Sequence, residues 1–353
     1  SLSLSLSLSL LSLLSIIIAI ISIITYSKRA CVSIIIMALF LQLSRSTTSA
    51  TTKSIVRKGF TASSYFSTTT TTTTNKQEEQ QQQKPKGQLH DSYQHILAET
   101  MQDTGVGLIQ LNRPKAYNAL SDGLLDDLIH ATEAMDQDDN VGCMVLASTS
   151  GPKAFAAGAD IMEMANASFG DMYTKNKFSQ WGLIAQRSKP ILCAVDGVAL
   201  GGGCELALMC DVVYASETSL FGQPEINLGI LPGAGGTQRL TRAIGKSKAM
   251  EYILTGKSFT AQQAMEWGLI SRVVCVEEQP VLDVAMETAK LIASKGRVST
   301  IMAKEAVNAA FEMNLQQGLQ FERRLFHAAF STEDQKEGMK AFVEKRPPNF
   351  TNK

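Results

Sequence analysis

The chain has 353 residues, 44% of them apolar, which suffices for one large domain or two small ones around a substantial core. Basic and acidic residues balance at 33 each, but unevenly: nine Lys or Arg face two Glu up to Lys86, and the remainder carries 24 basic against 31 acidic residues. The body thus lacks the overall basic field of a nucleic-acid binder, and its six cysteines form no CxxC or zinc-spaced cluster.

Residues 1–36 open with Ser-Leu repeated five times and continue into an apolar run from Leu10 to Ile24. A CT-dinucleotide tract read in frame encodes Ser-Leu, so this opening reads as translated upstream sequence. The competing reading is a signal peptide or anchor, against which stand the interrupting serines and a length short for a span. Residues 37–75 begin at the first methionine and are rich in Ser, Thr, Lys and Arg, with no acidic residue before Glu78. That is the composition of an organellar transit peptide, mitochondrial by preference over plastid. Residues 76–92 are glutamine-rich, lack the apolar surface to fold, and read as a linker. No membrane partner is expected once the leader is removed.

The folded body is expected from about Tyr93. Val106–Leu111 is a strand candidate, followed by a polar loop over 112–118 that contains Lys115. Ser121 is placed to cap a helix with Leu124, Leu125, Leu128, Ala131 and Met135 at helical spacing. Val141–Ala147 is a second strand. A small-residue turn, Ala156-Ala-Gly-Ala-Asp160, then leads into a helix at Ile161.

Ile191–Val195 is an apolar run suited to a strand covered on both faces. It leads to Gly201-Gly202-Gly203-Cys204-Glu205, three glycines turning into a helix. Glycine permits unusual dihedrals there and lets a ligand approach the backbone. The free amides of a helix start could hold developing negative charge. Glu205, among apolar neighbours, either stabilises the helix start or does chemistry. Cys204 reads as a packing residue, since no histidine is placed to activate it.

Val212–Ala215 is a further strand, before Gln223-Pro-Glu225 and the glycine-rich Pro232-Gly-Ala-Gly-Gly236. That run matches neither a Walker loop nor a dinucleotide fingerprint. From Gln238 to Glu344 the chain reads as successive amphipathic helices with few strand signals.

Four motifs in order, Ala156–Asp160, Gly201–Glu205, Gln223–Glu225 and Pro232–Leu240, resemble the enoyl-CoA hydratase (crotonase) family from about Tyr93 to Lys353. The resemblance implies an α/β fold: a spiral of repeated strand–helix (ββα) units over 93–290, with a C-terminal helical trimerisation region over 291–353. It implies syn addition of water across a trans-2-enoyl-CoA to give a 3-hydroxyacyl-CoA, as in mitochondrial fatty-acid β-oxidation and branched-chain amino-acid breakdown. Glu205 would deprotonate the water and Glu225, entering protonated, would protonate Cα. The amides of Ala159 and Gly202 would hold the enolate oxygen, and Gly233 would help fix the water.

By the same resemblance CoA, which is part of the substrate and not a separate cofactor, would lie near Lys115, Asp160, Ile161 and Met162. Asp160 also reads as an N-cap. Met162 stands where family members often carry lysine. Phe326 and Lys345 match tail positions that reach CoA or the acyl chain of a neighbouring subunit in a homotrimer or homohexamer; Phe326 also reads as helix core. The competing functions are a sister activity (methylglutaconyl-CoA hydratase, enoyl-CoA isomerase or hydroxyacyl-CoA hydrolase) and a non-catalytic acyl-CoA- or RNA-binding relative. The carboxylate pair speaks for hydration and the acidic body against RNA.

Overall fold

The computed structural model describes residues 89, 90 and 92–353. The expectations for 1–36, for 37–75 and for most of 76–92 lie outside the described residues. Packing onto the body already involves residues before Tyr93: Leu89 packs against the main core and His90 stacks on Tyr93.

In chain order the first part of the body comprises β1 (Ile96–Met101), β2 (Val106–Leu111), α1 (Asp122–Gln137), β3 (Cys143–Ser148), β4 (Ala154–Ala156), α2 (Ile161–Met164), α3 (Phe169–Thr174), α4 (Gly182–Ala185), β5 (Ile191–Val195), β6 (Val198–Leu200) and α5 (Gly202–Ala207). The second part comprises β7 (Val212–Ser216), β8 (Leu220–Gly222), a 3-10 turn at Pro224–Leu228, α6 (Gly236–Ile244), α7 (Lys246–Thr255), β9 (Ser258–Thr260), α8 (Ala261–Glu266), β10 (Arg272–Val274), α9 (Val281–Ala293), α10 (Arg297–Ala309), α11 (Leu315–Ala329) and α12 (Glu333–Glu344).

The strands form two sheets, ordered β1-β2-β3-β5-β7-β10 and β4-β6-β8-β9. The pairs β3–β4, β5–β6 and β7–β8 each send their first strand to the six-stranded sheet and their second to the four-stranded one. Thus β3, β5 and β7 are parallel neighbours in one sheet while β4, β6 and β8 are parallel neighbours in the other. This stepwise advance of ββα units is the expected spiral. All five residues of β5 are buried, as a central strand covered on both faces requires, whereas β1, on the edge, alternates.

Helix α1 forms as its spacing dictates. Ser121 Oγ accepts from the Leu124 amide at 3.3 Å, and the predicted apolar positions are all buried. Helix α9 buries Val281, Val284, Ala285 and Ala289 against the far side of the six-stranded sheet. The expected boundary between 290 and 291 therefore falls inside an element of the core. The helical tail begins after α9, because the apolar face of that helix is satisfied by the sheet. Helices α10 and α11 bury no residue completely. Lys304 of α10 nonetheless reaches back to Asp211 at 2.8 Å and to the Lys189 carbonyl at 2.9 Å.

Candidate active site

The site lies where three neighbouring parallel strands end. Ala157–Ala159 follows β4, Gly201–Gly202 follows β6 and Gln223–Glu225 follows β8. Because β4, β6 and β8 run the same way, their carboxyl ends meet on one side of the sheet. A crevice at such ends is the usual ligand position in parallel sheets. The pocket found there is lined by Ala159, Ile161, Trp181, Gly202, Glu205, Glu225, Leu231 and Gly233, among others.

The glycines are there for clearance. Gly201 has φ +50° and ψ −124°, and a Cβ on it would sit 2.9 Å from Glu225 Oε1. A Cβ on Gly202 would stand 2.8 Å from Trp181 Cη2 and 3.2 Å from the Ala159 nitrogen. The Ala159 and Gly202 amides thus border one small space. Gly202 is the first residue of α5, where an amide has no partner within the helix. Among the described residues, the Ala159 amide makes no backbone hydrogen bond either; its neighbours Leu120 and Asp160 do.

Glu205 sits one turn into α5 and is 3% exposed. Its Oε1 accepts from the Ala234 amide at 2.8 Å and from the Gly236 amide at 2.6 Å. Burial pushes its pKa up, and the Gly236 and Ala234 amides and the Arg239 guanidinium act against that push. Glu225 is half-buried on the 3-10 turn, and its Oε2 has no hydrogen-bond partner among the described residues. Burial raises its pKa to about 7, its own backbone amide works against the rise, and the charge of Glu205 adds to it. One carboxyl is thus held by two amides of a neighbouring loop that favour the anion, while the other has only its own backbone amide and keeps its proton to near neutrality. Environments that separate two carboxyls in this way suit them to opposite proton-transfer roles.

The remaining expected residues are placed unevenly. Gly233 lines the pocket, but the amides that engage Glu205 belong to Ala234 and Gly236. Ile161 also lines it. Lys115 is exposed on a 3-10 turn, and Met162 is 85% exposed beside the mouth; neither lines the pocket. Asp160 has structural work: it caps α2 through the Met162 amide at 3.1 Å and pairs with Arg113 at 3.1 Å. Phe326, on α11, is 61% exposed, which corrects its reading as helix core, since among the described residues no element covers that face of α11. Lys345 ends α12 in a left-handed conformation and is exposed; neither tail residue lines the pocket.

Several residues escaped the sequence reading. Trp181 and Phe178 meet edge to face at 5.2 Å and wall the pocket. Asn118 is fully buried, accepts from the Arg113 amide at 2.8 Å and donates to the Phe155 carbonyl at 3.0 Å, which ties the polar loop to β4. Its φ of +53° was the one available signal, and a sequence does not display it.

Residues 101–353 match the family model described as Enoyl-CoA hydratase/isomerase. Over 262 residues the chain is 53% identical to a probable mitochondrial enoyl-CoA hydratase of Dictyostelium discoideum, covering 74% of this chain and 93% of that protein. It is 53% identical over 260 residues to a mitochondrial enoyl-CoA hydratase of Pongo abelii, covering 73% and 88%. Among solved structures, an enoyl-CoA hydratase subunit from Geobacillus kaustophilus HTA426 superposes with a TM-score of 0.70 at 42% identity, over 74% of this chain and 99% of that one. The chain belongs to the enoyl-CoA hydratase/isomerase family.

Proposed function

We propose that the protein is an enoyl-CoA hydratase that adds water syn across trans-2-enoyl-CoA thioesters, giving 3-hydroxyacyl-CoA. One observation carries this reading: two carboxyls with unlike environments face the same pocket as two free amides. Addition of water needs a base at Cβ, an acid at Cα and a site for the thioester oxygen between those events. Glu205, favoured as the anion by two amides, takes the proton of the attacking water. Glu225 delivers its proton to Cα. The Ala159 and Gly202 amides hold the enolate oxygen, and a donor of this kind contributes about 10²–10³ in rate. The CoA portion lies toward Ile161 and the first polar loop and brings no separate cofactor.

The tail bears on the same reading. Phe311, Leu315, Phe326 and Phe330 are exposed on or beside α11, and no described residue covers them. We take this face as the contact of a homotrimer, or of a hexamer built from two trimers, in which Phe326 and Lys345 reach the acyl-CoA of a neighbouring copy. Relatives named as mitochondrial and a leader free of acidic residues before Glu78 support the mitochondrial matrix, and with it fatty-acid β-oxidation, as the setting.

The test is loss of the enoyl absorbance of crotonyl-CoA by the purified chain, beside Glu205→Gln and Glu225→Gln. Each variant is expected to fall by about 10²–10⁴-fold with its fold intact. Binding of acyl-CoA without hydration by the wild type would replace this reading with a sister activity. Full activity in either variant would remove that glutamate from its role.

A further inference from the structure

The Pro232–Gly236 loop that cradles Glu205 is itself held from behind. Ala234 donates its amide to Glu205 Oε1 at 2.8 Å, and its carbonyl accepts from Arg239 Nη1 at 3.0 Å. Arg239 stands in the first half of α6, and its own amide donates to the Gly235 carbonyl at 2.8 Å. Gly235 has φ +114°, and a Cβ there would lie 2.1 Å from Arg239 Nη1. The turn therefore exists in a form that only glycine permits, with the guanidinium filling the space a side chain would take. Arg239 is half-buried and makes no ion pair among the described residues. Burying a cation without a paired anion costs free energy, so its position calls for a reason.

We propose that Arg239 is the positioning residue of the Glu205 carboxylate: it clamps Ala234 so that the Ala234 and Gly236 amides converge on Oε1, and it sets a cation near that carboxylate. The inference rests on the reading of Glu205 as the base of a hydration reaction. The charged and titratable groups facing Glu205 are Arg239 from α6, Glu225 from the 3-10 turn and Cys204 on its own helix. Of these only Arg239 favours the anion. Removing it leaves the effect of burial less opposed, so Glu205 holds its proton to higher pH. A base must be deprotonated to act, so the acid limb of kcat/KM moves to higher pH.

Two measurements test this together. The first is the pH profile of crotonyl-CoA hydration for wild type, Arg239→Gln and Arg239→Lys. The second is thermal unfolding of wild type, Glu205→Gln, Arg239→Gln and the double variant at pH 8. Arg239→Gln is expected to lower kcat by on the order of 10-fold to 10²-fold, through a misplaced base, with KM unchanged. Its acid limb should move up in pH, and Arg239→Lys should bring the limb back while leaving kcat reduced. The loss of Tm caused by Arg239→Gln should shrink when Glu205 is already Gln.

An unmoved acid limb with additive Tm changes overturns the proposal. Should Arg239→Gln fail to fold, Arg239→Lys decides: the charge stays, the guanidinium hydrogen bond to Ala234 goes, and a wild-type kcat overturns the positioning role. Absent hydration by the wild type with a non-additive Tm cycle would sink the hydratase reading alone, and the hold of Arg239 on Glu205 would stand.

Discussion

Glu225→Gln should slow hydration by about 10²–10⁴-fold and stabilise the fold, the latter only on the alkaline side. The carboxyl carries a folded pKa of about 7 against an ordinary 4.5. A carboxyl raised in this way contributes its stability in full below pH 4.5 and loses it as pH rises through about 7, because the ionised form is disfavoured in the folded state. At about 1.36 kcal/mol per pKa unit the full span comes to about 3 kcal/mol. Glu225 is only half-buried, so solvent screening brings this to about 1–2 kcal/mol. Glutamine keeps the shape and cannot ionise. It is therefore expected to match wild type near pH 4.5 and to gain about 2–6 °C in Tm at pH 8, for a domain of this size. Thermal unfolding of both proteins between those two pH values is the assay. A Tm difference that stays constant across that range would refute the reasoning, since it would mean that Glu225 ionises as readily in the fold as outside it.

Gly203→Ala should lower Tm and erase hydration together. Its Cβ would lie 2.1 Å from the Ala156 carbonyl oxygen, which is backbone and cannot swing away; overpacking of this kind costs about 1–3 kcal/mol, and an unchanged Tm would contradict the placement of α5 against β4. Asn118→Ala should lower the denaturation midpoint by the equivalent of about 2–3 kcal/mol, because the Arg113 amide and the Phe155 carbonyl lose their partner inside the core; a midpoint within error of wild type would show that the loop is held otherwise. Phe326→Glu should shift the assembly seen by light scattering toward single chains while far-UV circular dichroism stays the same. Retention of the wild-type mass would exclude this face of α11 as a contact.

How much of this was legible in the sequence follows from element length. Strands β2, β5 and β7 announce themselves as apolar runs of five or six residues, and α1 and α9 by spacing and, for α1, the Ser121 cap. Strands β4, β6, β8, β9 and β10 have three residues each, too few for periodicity to speak, and two of them contain Gly222 or Ser258, which read as turn. Three of those short strands, β4, β6 and β8, assemble the site. The glutamates and glycine turns could be picked out because their residue types are odd for their surroundings: Glu205 within a helix otherwise apolar, Gly201–Gly203 where a side chain would be cheaper. Trp181 and Arg239 gave no such contrast, because an aromatic residue in a short helix and an arginine on an amphipathic one are what any surface supplies. Their roles arise from loops distant in sequence folding over β6 and α5.

The expected tail contacts make the same point from the other direction. Phe326 and Lys345 are singled out by likeness alone, and both stand outside the pocket, Phe326 on a helix that buries no residue and Lys345 at the exposed end of α12. The pocket, by contrast, is built from elements that one chain completes. Three parallel strands deliver the two amides and Glu225, and the fourth component, Glu205, follows one helical turn after the second strand. A change in strand register by one residue would carry the segments after β4, β6 and β8, with Ala159, Gly202 and Glu225, out of line with one another. The buried small residues Ala154, Ala156 and Ala199, and the glycines Gly203 and Gly222, let these short strands and α5 approach closely enough to hold that register. The chemistry of the site is in that sense a consequence of how closely the backbones pack: the residues that set it are those with the least side chain to show.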